Sequence, residues 1–456
     1  MFQNKLKVMI RIANKELKQK GKLSWQRLTL FGLGTTTGTG FLLGSSLAIE
    51  KSGFSVIINF FFAAFGTYFV FNALANMIAE HSEKGSFRTY SRKAFGHWAG
   101  FSHGWVYWTS EMLIVGSQLT AIGLFTRFWF PGIPLWILTS VYAALGVGIV
   151  LLGTALFEKT MNILAVFKLG AIFMFILLAC LVIPGVFGTE NAHMHTPNHI
   201  GDVFKDGPLG LWTSFIYVFF CFSGIEVMGI MAAELHNPKE APKSGLFMIV
   251  TITVLFILSI GLALLVTPLE QITIQESPFV TALKDLNYHF LVHIFNGVLI
   301  IAGFSGLVAS LYSVTLTMSM IADDGDAPKL FTKRTRKRHF PYAALGLTIA
   351  GLIASIVVAL LMPKGVYEYI TTAGGLMLLY TWLFILFASR KLLKLTKWGH
   401  IKSISAIVLI MIAISGTMFD HTSRPGLFIS LAILSTIVVV TLFLRNHWKA
   451  IKSGAQ

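Results

Sequence analysis

Three ionisable side chains, Glu111, Lys168 and Glu226, lie inside stretches of this 456-residue chain that are otherwise almost wholly apolar. A charge carried to the centre of a bilayer costs at least ~2.5–3.5 kcal/mol on insertion scales, so a residue of this kind marks a functional site by default. The chemistry open to it is narrow: it meets a polar cargo, carries a proton, or is neutralised against a neighbouring helix. Two further stretches offer chemistry through the backbone. The first, Leu28 to Ile49, is apolar and long enough to cross a bilayer, yet it holds Gly32, Gly34, Gly38, Gly40 and Gly44 among Thr35, Thr36, Thr37 and Thr39. Each interior Gly costs about 1 kcal/mol of helix propensity against Ala. Non-helical backbone at membrane depth survives only where protein or a water-filled cavity covers it, so a break here frees N–H and C=O groups to hold a ligand. The same small-residue spacing also suits close helix packing. The second stretch sets Ser223, Gly224 and Glu226 in the middle of another apolar run, five crossings later. Paired interruptions at corresponding positions of two halves point to a transporter built from inverted repeats, with its site at the bilayer midplane.

Other clusters carry less. His193, His195 and His199 have spacing that could hold a metal, but no Cys or carboxylate cluster completes a site, and a solvated loop is the reading. Asp323, Asp324, Gly325 and Asp326 lack the closing Glu of a calcium loop and read as the polar exit of a span. With no nucleophile elbow or cofactor motif either, neither an enzyme nor a bound metal or cofactor is expected.

The elements that position these residues follow from composition. Charged residues make up 12% of the chain and hydrophobic ones 55%, against about 25% charged in a soluble protein. At about 20 residues per crossing, the apolar runs give about twelve spans. They are expected near Leu28–Ile49, Phe54–Ile78, His97–Arg127, Pro134–Gly153, Glu158–Ile183, Gly210–Glu234, Lys243–Val266, Tyr288–Ala322, Tyr342–Leu361, Val366–Ser389, Ile401–Phe419 and Pro425–Leu444. The longest joints, Pro184–Leu209 and Thr267–Asn287, leave no room for a soluble domain.

The net charge of +16 is distributed, and its distribution excludes a nucleic-acid partner. Basic residues gather ahead of the first span and in every second joint, as in Lys84, Arg88, Arg92 and Lys93, then Lys159, then Arg334, Arg336, Lys337 and Arg338. The alternate joints carry one each, such as Lys51, Arg127 and Lys205. This is the positive-inside pattern, and it predicts an even number of spans with both termini in the cytoplasm. Met1–Arg27 has no apolar core of its own, so the first span is expected to be a retained targeting signal. Cys180 and Cys221 sit inside apolar runs, and no disulfide framework is expected.

Several motifs then line up in order. They are Gly38-Thr39-Gly40-Phe41; Gly85-Ser86-Phe87 with Thr89, Tyr90 and Arg92; Trp98-Ala99-Gly100-Phe101 with Gly104-Trp105 and Tyr107-Trp108; Phe222-Ser223-Gly224-Ile225-Glu226 followed by Glu234 and Asn237-Pro238; and Gly325-Asp326-Ala327-Pro328-Lys329. From Trp25 to about Arg390 the set resembles the amino acid-polyamine-organocation superfamily, in its amino acid permease branch. The resemblance implies an all-α polytopic membrane protein of about twelve transmembrane helices, with a core of five plus five inverted spans in which helices one and six are discontinuous. It also implies secondary active transport of an amino acid by alternating access in the cell membrane. On this reading residues 1–27 form a basic cytoplasmic segment, 28–389 the ten-helix core, and 390–456 two peripheral spans and a cytoplasmic tail.

A zwitterionic amino acid needs donors for its carboxylate and acceptors for its ammonium, which half-helix N-termini and unwound carbonyls supply. The carboxylate is expected on the backbone of Thr39, Gly40 and Phe41 with the Thr39 hydroxyl assisting, and Gly38 and Gly40 let that backbone approach closely. The ammonium is expected at carbonyls near Thr35 and Thr36 and around Phe222, Ser223 and Ile225. In the resembling family an aromatic at the place of Phe222 lies over the substrate as a gate; the alternative is a packed core ring. Glu226 gates the path or binds a proton, or else is hydrogen-bonded to a neighbouring helix. A span-five Lys, at the place of Lys168, stands in proton-driven relatives where sodium sits in sodium-driven ones. Lys168 is therefore expected to couple protons, with snorkelling or an ion pair to Glu111 as alternatives. The chain departs from the branch at Gln118, where Glu is usual, at Glu111 two turns earlier, and at Leu316, where Arg is frequent.

The expected cargo is a neutral aliphatic or aromatic amino acid, because Cys221, Phe222 and the small residues of span one suggest an apolar side-chain pocket. Glu111 points instead to a cationic amino acid or polyamine, carried or exchanged. A transport-like nutrient receptor is the remaining alternative. Apart from substrate, protons and the lipid bilayer, no obligate partner is expected.

Overall fold

Apolar runs of this length can satisfy their backbone groups in lipid only by forming helices, and the computed structural model is helical along all twelve expected spans. It describes residues 23–83, 85–152, 154–183, 194–197, 199–286, 288–335, 340–361 and 365–452. The basic segment 1–22, Lys84, His193, Arg336, Lys337, Arg338 and the side chain of Lys159 lie outside the described residues. Span one comprises Trp25–Thr36, Thr39–Leu42 and Gly44–Ser52; span two is Val56–Glu80, span three His97–Arg127, span four Leu135–Leu152 and span five Thr154–Val182. Span six comprises Gly207–Cys221 and Ile225–Met231; span seven is Ala241–Val266 and span eight His289–Asp323. Span nine is Tyr342–Leu361, span ten Val366–Leu392, span eleven Lys397–Gly416 and span twelve Arg424–Lys452. Among the described residues the β contact is a single bridge between Leu23 and Leu235.

Local chemistry sets the helix ends. Ser24 caps span one by accepting from the Arg27 amide at 3.4 Å, and Thr396 caps span eleven by accepting from the Gly399 amide at 3.2 Å. Pro208 and Pro242 stand in the first turns of spans six and seven, where a missing N–H costs nothing. Besides the single turn Ile200–Val203, two joints hold helices that the apolar runs do not announce: Ser86–Phe95 between spans two and three, and Pro278–Asp285 between spans seven and eight. Both are too short to cross, and each buries one face, Phe87 with Tyr90 and Phe279 with Leu283.

Spans one, six, three and eight gather at the centre, with span ten against span three and span seven against spans one and two. Span eleven packs on spans two and six, and span twelve on spans three and ten. The outward faces carry exposed Phe61, Phe62, Phe173 and Phe443, as lipid-facing helices do. Span three is polar on its inner face, with buried Ser110, Glu111, Ser117 and Thr120.

Candidate functional site

Span one loses its helix at Thr37 and Gly38, where Gly38 is extended at φ −124° and ψ −168°. The helix restarts with the amides of Phe41 and Leu42 donating to the Gly38 carbonyl at 3.1 and 3.0 Å. The amides of Thr39 and Gly40 precede those first bonds and are the donors left at the new N-terminus; the Phe41 amide, expected beside them, is engaged. Span six breaks over Phe222, Ser223 and Gly224, and Gly224 takes φ +105°, a left-handed conformation that favours glycine. A Cβ on Gly224 would stand 3.0 Å from the carbonyl carbon and oxygen of Thr35. The two breaks therefore touch backbone to backbone.

Both readings of the glycines in span one are realised. The Cβ position of Gly38 has one neighbour, the Thr35 carbonyl oxygen at 3.8 Å, so the break opens on space there. Gly40 is a contact glycine: its Cβ would stand 3.0 Å from the Phe220 carbonyl oxygen, and Cys221 Sγ donates to the Gly40 carbonyl at 3.2 Å.

Beside the breaks lies a cavity of about 40 Å³, lined from them by Gly34, Thr35, Ser223 and Gly224 and closed by Glu111, Gln118, Lys168, Gly306 and Ser310. It brings together from spans three and five the residues singled out in the sequence. Its size suits roughly two or three waters, and a zwitterion enters only when the helices part. Lys168 is buried and donates to the Gly34 carbonyl at 3.2 Å, just ahead of the break. Gln118 Nε2 donates to Ser310 Oγ at 3.4 Å. Gln118 Oε1 and the hydroxyls of Thr36 and Thr37 are buried without partners. Each such group costs about 1–3 kcal/mol when unsatisfied; Gln118 faces the cavity, whereas Thr36 and Thr37 stand at the break outside its lining.

Thr36, Gly38, Thr39, Gly40, Phe41, Phe222, Ile225 and Glu226, all expected at the site, lie outside that lining, and two of them are engaged elsewhere. Glu226 accepts from the Gly224 amide at 2.8 Å and from Trp382 Nε1 at 3.3 Å. It caps the second half of span six and ties it to span ten, within electrostatic reach of Glu111. Phe222 is buried outside the cavity lining, its ring centroid 5.5 Å from that of Phe256 and 6.2 Å from that of Phe60. That aromatic cluster includes Phe41, stacked on Phe256 at 3.6 Å. Cys221, too, is spent on the helix contact rather than on a pocket wall. The share of span eight was missed. Gly303 admits the methyl of Thr39, which a Cβ there would meet at 2.8 Å, and Gly306 and Ser310 wall the cavity. The close run Gly303, Ser305, Gly306 was the available signal.

A second polar cluster lies on the face away from the basic joints, lining a cavity of about 640 Å³. Lys51 at the end of span one lies 3.0 Å from Glu368 of span ten and 2.7 Å from Asp420, between spans eleven and twelve. The Tyr217 hydroxyl donates to Glu368 at 3.0 Å and is 2.8 Å from Ser423 Oγ. Burial alone would raise the Asp420 carboxyl, but hydrogen bonds from Lys51 and Ser423 outweigh it and hold the group below its ordinary value. Its stabilisation is thus present above the ordinary carboxylate range and is lost as pH falls through the lowered value. Lys51→Met should cost about 1–3 kcal/mol, less than a fully buried pair would lose. In thermal unfolding of detergent-solubilised protein, the variant should melt lower at pH 7, and its gap to wild type should narrow as pH falls through and below the ordinary carboxylate range, where wild type loses the same stabilisation. Identical curves would show the cluster to be inert.

Comparison with known proteins matches the profile described as "Amino acid permease" to residues 27–450. The uncharacterized transporter YcgH of Bacillus subtilis is 55% identical, over 94% of this chain and 96% of that protein. The aromatic amino acid transport protein AroP of Corynebacterium glutamicum is 28% identical over 92% of this chain and 94% of its own length. AroP of Escherichia coli K12 is 26% identical over 95% and 97%.

Proposed function

The chain belongs to the amino acid permease family, and from that membership we propose that it takes up a neutral amino acid across the cell membrane, driven by protons through Lys168. The observation that carries this reading is the shared cavity, where the two helix breaks, Lys168, Glu111 and Gln118 meet. The substrate carboxylate is received by the amides of Thr39 and Gly40, and the ammonium by the carbonyls around Thr35 and Ser223, as half-helix ends favour. Lys168 holds span five to the carbonyl of Gly34 while it is an ammonium. Losing the proton weakens that tie, so protonation and the opening of the break are linked. Glu226 acts as the cap that keeps the span-six break in shape.

The basic joints face the cytoplasm together with both termini, by the positive-inside rule. Residues 28–389 form the moving core, and spans eleven and twelve are peripheral to it. The AroP relatives carry aromatic amino acids by name, which favours an aromatic cargo among the neutral ones. One observation favours the other reading: Glu111 stands in the cavity wall, where it would welcome a cationic side chain.

Competition decides between them. Uptake of labelled phenylalanine under an inward proton gradient should be blocked by excess leucine or phenylalanine and spared by lysine and arginine. Dominance of lysine or arginine would overturn the neutral assignment, and uptake indifferent to the gradient would overturn proton coupling.

A further inference from the structure

A second cavity of about 350 Å³ opens on the basic face, between the helix Ser86–Phe95 and the exit of span eight. Its floor is formed by Tyr107, Ile230 and Thr317, and the central cavity is walled by Glu111, Val227 and Ser310 of the same three spans. Offsets of three to seven residues along a helix amount to about 5–10 Å, so the two cavities are stacked on one axis. A substrate leaving the break toward the basic face passes through the second.

The wall of that vestibule is built for a charged ligand. The Arg88 stem lies over Gly104, where a Cβ would stand 2.8 Å from its Cδ. The Arg88 side chain is 9% exposed; its Nη2 is bound by Asp324, and its Nη1 stands 3.7 Å from Asp326 Oδ2 and has no hydrogen-bond partner. Thr317 is 6% exposed, and its hydroxyl is buried without a partner. A buried guanidinium nitrogen and a buried hydroxyl, neither with a hydrogen-bond partner, line the same space as the carboxylates of Asp323, paired with Arg334, and Asp324, paired with Arg88 and Arg92. Donors and acceptors side by side in one lining complement a zwitterion, whose carboxylate can exchange with Asp324 on the Arg88 fork.

We propose that this vestibule is a second, transient substrate subsite on the exit path, where Arg88 and the Thr317 hydroxyl take the α-carboxylate and the Asp323–Asp324 edge takes the α-ammonium. The subsite rests on the amino acid transport reading above. It gives the carboxylate a new partner as it leaves the amides of Thr39 and Gly40, so the charge is never stripped of donors midway. Tyr107 and Ile230 are the partition between the two stations.

The test compares the two faces. Right-side-out and inside-out membrane vesicles are offered labelled phenylalanine, leucine, lysine or arginine, and the one that wild type moves fastest is used throughout. Thr317→Val keeps the side-chain shape and removes a hydroxyl with no protein partner, so the fold does not depend on it. From the basic face, Thr317→Val and Arg88→Lys should each raise the half-saturation concentration about tenfold, the worth of one hydrogen bond to a charged group. From the opposite face it should stay within about twofold. Unchanged values on both faces for Thr317→Val, or equal shifts on both, overturn the subsite. If wild type moves none of the four, the transport reading fails and the subsite falls with it; wild-type transport with a symmetric variant sinks the subsite alone.

Discussion

Gly224→Ala should cut uptake by about a hundredfold, the loss typical of a site misplaced by about 1 Å, while the protein still inserts in the membrane. The added methyl is small, but its surroundings are backbone. It would stand 3.0 Å from the carbonyl carbon and oxygen of Thr35 and 3.2 Å from the Thr36 nitrogen, atoms that cannot rotate aside. The left-handed φ of +105° adds a conformational penalty of roughly 1–2 kcal/mol for a residue with a Cβ. Both effects push in one direction, parting the breaks that form the cavity wall. The same logic covers Gly40→Leu, whose side chain would be driven against the Phe220 carbonyl and ring. Gly346→Ala in span nine serves as the control, because a Cβ there meets nothing within 4 Å. The readout is the initial rate of uptake per inserted molecule. A Gly224→Ala protein that inserts and transports at the wild-type rate would falsify the assignment of the substrate site to the paired breaks.

Lys168→Met should abolish accumulation driven by a pH gradient while leaving substrate binding largely intact. A gradient of about one pH unit is worth ~1.4 kcal/mol, enough for about tenfold accumulation at one proton per substrate; the variant should equilibrate its substrate and go no further. The reason lies in the contact with the Gly34 carbonyl at 3.2 Å. A proton biases two conformations only by binding them with different affinity, and an ammonium tied to span one at the edge of the break has a partner that the opening of the break removes. Lys168→Ala tests the same charge with less of the volume kept. Binding is followed separately, through the rise in thermal stability that a ligand of the native state produces. Accumulation with unchanged pH dependence in both variants would make Lys168 a structural residue and turn attention to Glu111 and Glu226, the two buried carboxylates within electrostatic reach of each other.

The two predictions draw on one geometry. Gly224 holds the breaks in contact with no side chain between them, and Lys168 holds the adjoining turn of span one to span five. On the proposed reading, one is a steric condition for the site to exist, the other an electrostatic condition for it to open. The outer cluster of Lys51, Glu368 and Asp420 is a third condition, set on the opposite face and reaching across to the joint between spans eleven and twelve.

What could be read from the residues alone was whatever has a local cause. Apolar runs of bilayer length fold as helices because lipid offers their backbone no other partner, and the twelve spans follow within about four residues at each end, except that span twelve runs on past Leu444 to Lys452. The breaks were legible for the same reason: glycine and threonine, or serine and glycine, inside an apolar run carry their conformational preference with them. Lys168, Glu111 and Gln118 were legible as polar residues in an apolar setting. What the tertiary structure alone decided is which of these meet. Both the lipid-facing and the buried side of a membrane helix are apolar, so hydropathy does not say which face turns inward, and packing of small residues settles it. Hence Gly303, Gly306 and Ser310 of span eight entered the site unannounced, Phe222 turned into the cluster of Phe60 and Phe256, and Glu226 became the cap of its own broken helix. Lys51 found Glu368 and Asp420 more than three hundred residues away, a pairing that depends on how span one lies against span ten and on nothing near it in the chain.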